Sequence, residues 1–273
     1  MTDEGQHAAV LAALLRAWQV EPVADTLRTP SSLLVAGVRD GVPVMLKVPL
    51  VEEERVGCRL LEWWGGRGAV PVLERDDDAV LMLRATGGRS LVAMATDGQD
   101  ATATAVLVDA AASLHAHGLP PEDLGLVPLG VWFRDLIDED HQDPLLTRAS
   151  AVAREVLEAT REEDVVALHG DLHHDNVLDL GDGWAAIDPK GLVGHRAFDF
   201  ANVFCNPDEQ TALAHLEQRL EAIAAQAGLE KALLAAWVVA WCGLSLAWTT
   251  DEPGWHDRAA RGVAELLLRR HLA

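Results

Sequence analysis

Positive charge is scarce in this 273-residue chain: 22 Lys and Arg stand against 43 Asp and Glu, a formal net charge of −21. Without a basic face the protein is poorly suited to nonspecific binding of nucleic acid or an anionic membrane, and neither partner is expected. The same imbalance suits a cationic small molecule. Cysteine is also rare. Cys58, Cys205 and Cys242 lie far apart in sequence with no metal-ligand spacing, which predicts reduced core thiols and a cytoplasmic protein. The opening MTDEGQHAAVLAALLRAW begins acidic and lacks the basic n-region of a secretory signal. The apolar run from Leu233 to Trp248 is shorter than a bilayer span and predicts a buried helix instead. Internal repeats and low-complexity tracts are absent. What is plentiful is apolar residues, 49% of the chain, enough for a substantial core in one large domain or two lobes.

The chain falls into two compositional halves. An amphipathic helix over the first twenty residues is followed by SSLLVAGVRDGVPVMLKVPL, which reads as a hairpin turning at Asp40-Gly41 with Lys47 on its second strand. A helix is predicted from about Val51 to Trp64, with Val56, Leu60, Leu61 and Trp64 largely on one face and GGRG ending it. AVPVLERDDDAVLMLRA then gives two short strands around an acidic turn, and the consecutive glycines of TGGRS predict a flexible stretch. Beyond about Ser90 alanine-rich helical patterns dominate, interrupted by the strand-like pieces VVAL, NVLDL and WAAID. A β-rich N-lobe over residues 1–88 and a mostly helical C-lobe over residues 89–273 are therefore expected.

The densest polar stretch is ALHGDLHHDNVLDLGDGWAAIDPKG, residues 167 to 191. Asp171 sits in a loop after a short apolar run, Asn176 lies where the next strand begins, and Asp188 closes a further strand. An amide oxygen and a carboxylate converging on one point are hard ligands for Mg²⁺, which retains waters and shares substrate phosphates. Asp171 is then the carboxylate left to orient and deprotonate an attacking hydroxyl. Those are the parts that phosphoryl transfer requires. Local alternatives are a loop cap for Asp171, an Asx-turn for Asn176 and a turn before proline for Asp188. The adjacent His173 and His174 have no separated third partner, so a zinc site is not expected.

LHGDLHHDNVL and AIDPKG together resemble the catalytic segment of the aminoglycoside phosphotransferase family. The flanking GCRLLEWWGGRGAV and RAFDFANVFCNPD are most similar to its streptomycin 6-phosphotransferase and hydroxyurea phosphotransferase branch. The resemblance covers essentially the whole chain. It implies an α+β, bilobal, protein-kinase-like fold, with a small mixed β-rich N-lobe carrying one main helix and a larger, mostly helical C-lobe. It also implies ATP and Mg²⁺ as cofactors, Asp171 as catalytic base, and Asn176 and Asp188 as metal ligands. The implied substrate is a cationic aminoglycoside antibiotic, first of all streptomycin at its 6-hydroxyl, whose phosphorylation would give resistance. A kinase for hydroxyurea or a sugar, or a silent nucleotide binder, are the rival readings.

By the same resemblance Lys47 contacts the nucleotide α and β phosphates, with a helix carboxylate as its partner. Glu53 is preferred because it shares a face with Gly57, Leu60 and Trp64, and Glu54 is the second choice. No GxGxxG is present, so Ser31 and Ser32 with nearby amides are expected to cover the phosphates. Met82 is placed near the adenine, and the backbone from Leu83 to Ala85 is expected to hydrogen-bond it. His169 should hold the catalytic loop, and Asp199 should support it through hydrogen bonds. For the substrate end the candidates are Asp208 and Glu209, Asp135, Asp138 and Glu139, with Trp132, Trp241 and Trp248 as cavity walls.

Overall fold

In a computed structural model, which describes residues 3–76, 79–249 and 254–272, Asp40 and Gly41 both take positive φ, 51° and 80°. That is the backbone a two-residue hairpin turn needs, and it joins the strands Ser32–Arg39 and Val42–Pro49. Ala79–Leu83 pairs antiparallel with the second of these strands and Val72–Asp76 pairs with Ala79–Leu83. The short strands Glu21–Pro22 and Leu27–Arg28 flank the other side. The acidic turn expected at Asp77 and Asp78 lies outside the described residues.

Strand alternation decides what faces where. Val44, Leu46 and Val48 join a core cluster with Leu11 and Leu14 from the helix Asp3–Ala17. Met45 and Lys47 point to the opposite face. In register, Lys47 stands between Leu34 and Val80, and Met45 stands opposite Met82. One face of the sheet is thus sealed by a helix, and the other presents an apolar wall with a single ammonium.

The helix Glu52–Trp64 buries Val56, Leu60, Leu61 and Trp64 as its pattern predicts, and ends at Gly65 in the left-handed conformation (φ 58°). A Cβ at Gly57 would stand 2.2 Å from the Pro189 carbonyl oxygen. Only glycine lets this helix dock so closely on the loop that carries Asp188. The helix belongs to the larger core, which runs from Leu60 to Leu267 and is built mainly by the helices Asp100–His115, Pro144–Glu158, Glu209–Ala227, Lys231–Ala247 and Trp255–His271. The molecule is therefore bilobal α+β, with a small β-rich N-lobe and a larger helical C-lobe. Lys231–Ala247 is the buried helix expected from its apolar run. Among the described residues no single helix is long and apolar enough to cross a membrane.

Two features depart from the sequence reading. The TGGRS stretch is clamped where its glycines predict flexibility. The Asp179 carboxylate accepts bonds from the Arg89 amide (3.1 Å), Nε (2.8 Å) and Nη2 (2.6 Å), while the Gly87 amide donates to the Asp179 carbonyl at 2.9 Å. A Cβ at Gly87 would lie 2.1 Å from Asp179 Cγ, so glycine is there for close approach. Residues Arg196–Cys205 also form a 3-10 helix that no hydrophobic period announces.

Burial also fixes a pH dependence. His174 is 2% exposed, and neither ring nitrogen has a hydrogen-bond partner among the described residues. Burial, with the nearby charges of Arg219 and His173, pushes it down to about 3 from 6.5. The folded protein refuses a proton that the unfolded chain accepts. Stability is then complete above the unfolded value and declines as pH falls from 6.5 toward 3, by up to about 1.4 kcal/mol per pH unit from this histidine. We expect urea midpoints to drop between pH 7 and pH 5, and His174→Leu to flatten that drop. An unchanged slope in the variant would exclude His174 as its source.

Candidate active site

The catalytic-loop segment is held from beneath. Asp199, on the 3-10 helix, accepts the backbone amides of His169 (3.0 Å) and Gly170 (2.8 Å) and lies 2.8 Å from His115 Nε2. Burial pushes its carboxyl up, but the His115 hydrogen bond and charge outweigh it, and the net direction is down. His169 is fully buried. Its Nε2 lies 2.8 Å from the Ile187 carbonyl and so donates, which leaves Nδ1 to accept the Asp171 amide at 3.2 Å. Burial keeps this ring neutral, lowering its pKa against the pull of Asp199 and Asp171. Asp199 and His169 thus hold the loop as the sequence predicts.

Asp171 is oriented from two sides. Its Oδ1 accepts from Asn202 Nδ2 at 2.7 Å, and its Oδ2 is 3.3 Å from Asn176 Nδ2, which also donates to the Asp171 carbonyl at 2.8 Å. Asn206 Nδ2 in turn donates to the Asn202 carbonyl (3.0 Å) and Oδ1 (2.8 Å). Beneath these lies Arg219, which donates Nη1 to the Val203 and Asn206 carbonyls, both at 2.6 Å, and Nη2 to Asp100 Oδ1 at 2.6 Å. None of Asp100, Arg219, Asn206 and Asn202 is legible as functional from sequence spacing. Asp171 opens on a cavity of about 460 Å³ walled by Trp132, Trp241, Trp248 and Trp255, with Asp175, Asn202 and His256. The three tryptophans expected there are brought together, and Trp255 and Asp175 are additions.

A second cleft of about 300 Å³ lies under the sheet. Leu34, Met45, Met82 and Ile187 form its apolar walls, and Lys47, Glu54, Asp188 and Lys190 are its charges. Lys47, 5% exposed, is ion-paired with both Glu54 and Asp188. Burial lowers the lysine pKa, but the two carboxylates outweigh it and the net direction is up. For Asp188 burial acts upward, and Lys47 outweighs it, holding the carboxyl below its usual range. Asp188 itself has φ 62°, a left-handed conformation uncommon outside glycine that costs on the order of 1 kcal/mol.

The preference for Glu53 as the Lys47 partner is wrong. Glu53 pairs with Lys190 at 3.0 Å, and buried Glu54 takes Lys47. Gly57 does face inward, but toward the Pro189 loop, and this turns Glu53, one helical turn earlier, to the same loop. Glu54 shares its face with Cys58 and Leu61 and looks under the sheet. Ser31 and Ser32 line the cleft, but the Ser32 hydroxyl donates to Glu54 at 3.2 Å and both serine amides bond the Thr29 hydroxyl. Met82 lines the cleft as expected. The amides of Leu83 and Arg84 are taken by the carbonyls of Pro71 (3.0 Å) and Pro43 (3.1 Å), so neither is a free donor for an adenine; among the described residues the Ala85 amide has no such partner.

The donor set fits a small hard cation. Asn176 gives its amide nitrogen to Asp171, which leaves Oδ1 to coordinate, and Lys47 holds one oxygen of Asp188, which leaves the other. Among the described residues no group of three or more His, Cys, Asp or Glu is placed to hold a metal, so a cation here would complete its shell with phosphate oxygens and water. That sharing is the habit of Mg²⁺.

The acidic candidates divide. Asp208 caps the helix Glu209–Ala227, accepting from the Thr211 amide at 2.9 Å, and Glu209 pairs with Arg258 at 2.9 Å. Neither lines the tryptophan-walled cavity, because local capping and surface pairing claim them first. Asp138 and Glu139 do not line it either. Asp135 faces an adjoining cavity of about 560 Å³ and accepts from Trp248 Nε1 at 2.9 Å, bracing the wall between the two spaces.

A protein-family model described as aminoglycoside/hydroxyurea antibiotic resistance kinase matches residues 17–253. Streptomycin 3''-kinase of Klebsiella pneumoniae is 45% identical over 240 residues, covering 85% of this chain and 89% of that protein. Streptomycin 6-kinase of Streptomyces griseus is 33% identical, covering 70% of this chain and 64% of that protein. Among solved structures, a choline/ethanolamine kinase family protein from Mesorhizobium loti superposes with a TM-score of 0.65 at 17% identity, over 98% of this chain and 94% of that one.

Proposed function

Because the chain belongs to the aminoglycoside/hydroxyurea antibiotic resistance kinases, we propose that it inactivates streptomycin by transferring the γ-phosphoryl group of ATP to the 3''-hydroxyl. As a member of that family it is an ATP-dependent phosphotransferase with an alcohol acceptor. The observation that carries the proposal is the placement of Asp171, pinned by Asn202 and open to a tryptophan-walled cavity beside the Lys47 cleft. The 45% identity to a streptomycin 3''-kinase supports both the substrate and the position. The 6-hydroxyl implied by the sequence resemblance is the second reading, supported by the 33% relation.

Each residue then has one task. Lys47, fixed by Glu54, holds the α and β phosphates, and the apolar walls of Leu34, Met45 and Met82 receive the adenine. Asn176 and Asp188 hold Mg²⁺, which when bound neutralises phosphate charge. Asp171 accepts the proton of the acceptor hydroxyl as its oxygen bonds phosphorus. Asn202 keeps the accepting carboxylate turned to the cavity. Streptomycin carries guanidinium groups, and the indole faces of the cavity offer them cation–π contacts worth about 0.5–2 kcal/mol each. The excess of acidic residues adds long-range attraction.

The test is Mg²⁺-dependent ATP consumption with streptomycin, hydroxyurea and a panel of sugars, with the product located by mass and by phosphorus–proton NMR couplings. Phosphorylation at the 3''-hydroxyl is expected. A product at the 6-hydroxyl would move the assignment to the second reading, and turnover of hydroxyurea or a sugar without streptomycin would overturn the substrate.

A further inference from the structure

We propose that Lys190 is a catalytic residue of the phosphoryl transfer: its ammonium neutralises the phosphoryl group in transit between the two cavities, and Glu53 holds it in reserve. The inference rests on the phosphotransferase reading above and adds a residue that neither spacing nor motif assigned.

Among the described residues Lys190 is the only one that lines both the cavity containing Asp171 and the cleft containing Lys47 and Asp188. A phosphoryl group leaving the cleft for an acceptor held by Asp171 has to cross that junction. The junction is otherwise hostile to it. Asp171, Asp188, Glu54 and Glu53 are all carboxylates, and a terminal phosphoryl group brings further negative charge among them. Lys47 is committed to the α and β phosphates, and its place between Glu54 and Asp188 keeps it from following the γ-phosphoryl group.

Lys190 is built differently. Its backbone is fixed, with the amide donating to the His169 carbonyl at 2.7 Å. Its side chain is 25% exposed, and its partner Glu53 is 38% exposed at 3.0 Å. A partly exposed pair of this kind contributes about 0–1 kcal/mol, so it yields readily to a phosphoryl oxygen. A firmly placed stem with a lightly held ammonium is what electrostatic stabilisation of a developing charge requires. In the step the acceptor oxygen forms its bond to the γ-phosphorus and the bond to the bridging oxygen breaks. The electron pair leaves with ADP, the hydroxyl proton goes to Asp171, and Lys190 keeps all three of its protons.

The experiment compares the full-length wild type with Lys190→Met and Lys190→Arg, each checked for folding by thermal melting. The first readout is calorimetric affinity for ADP and for a non-hydrolysable ATP analogue. Lys190→Met is expected to lose about tenfold in affinity for the analogue while ADP affinity stays nearly constant. The second is kcat, expected to fall about 10²–10³-fold in Lys190→Met with the acceptor KM little changed, and to recover in part in Lys190→Arg. Equal losses for ADP and the analogue, or a Lys190→Met enzyme with near-wild-type kcat, would overturn the assignment. If the wild type phosphorylates no acceptor, the functional reading fails on its own, and the nucleotide affinities still decide the role of Lys190.

Discussion

Asp171→Asn is expected to lower kcat by about 10²–10⁴-fold, the range for removing a general base, while leaving nucleotide affinity unchanged. The substitution is nearly isosteric. Asn202 donates to Oδ1 at 2.7 Å, and an asparagine can present its amide oxygen to the same donor, so the loop keeps its shape. Asp199 and His169 hold that loop through backbone atoms, which the substitution does not touch. Asp171 lines the tryptophan-walled cavity and not the Lys47 cleft, hence the expected separation between turnover and nucleotide binding. Two outcomes would count against the base. A variant within tenfold of wild-type kcat would mean that no side-chain proton acceptor is needed here. Parallel loss of turnover and nucleotide affinity would mean that Asp171 shapes the loop and that its carboxylate has no separate chemical task.

The juxtaposition of Asp171 and Asn176 is legible because the two are close in sequence. Asp171 and Asn176 are five residues apart, and local geometry alone brings the Asn176 side chain to the Asp171 carbonyl. What holds Asp171 was not readable, because Asn202 is 31 residues away and the Asp100–Arg219 pair spans 119. Spacing rules carry no information across such distances. The error over Glu53 and Glu54 has a related cause. One position along a helix is a rotation of about 100°, and which face looks inward was decided by the docking of Gly57 on Pro189, a tertiary contact. Asp208 shows the opposite failure. Its capping role is local and visible in the Asp-x-x-Thr spacing, whereas the general acidity of the chain, which makes it a substrate candidate, says nothing about its place. In the TGGRS stretch consecutive glycines suggest conformational freedom, whereas Gly87 is required by the close approach of Asp179.

Asp100→Ala is expected to destabilise the fold by about 3–5 kcal/mol, the usual cost of stranding one member of a buried ion pair. Arg219 is 0% exposed and Asp100 is 2% exposed. Without the carboxylate the guanidinium keeps, among the described residues, the Val203 and Asn206 carbonyls, with His215 nearby, its Nδ1 3.8 Å from the lost oxygen. The effect should be seen as a lower urea midpoint. Stability alone would not distinguish a structural pair from one that positions the active site, and the double variant Asp100→Leu/Arg219→Met does. Replacing both charges by apolar groups removes the stranded cation, so most of the lost stability is expected to return. The Val203 and Asn206 carbonyls, however, lose their donor, and Asn206 is the residue that holds Asn202 against Asp171. If the pair serves the base as well as the fold, the double variant will be stable and slow, with kcat reduced and nucleotide affinity retained. A double variant that regains both stability and turnover would confine Arg219 to a structural role and leave Asn202 to orient Asp171 without it.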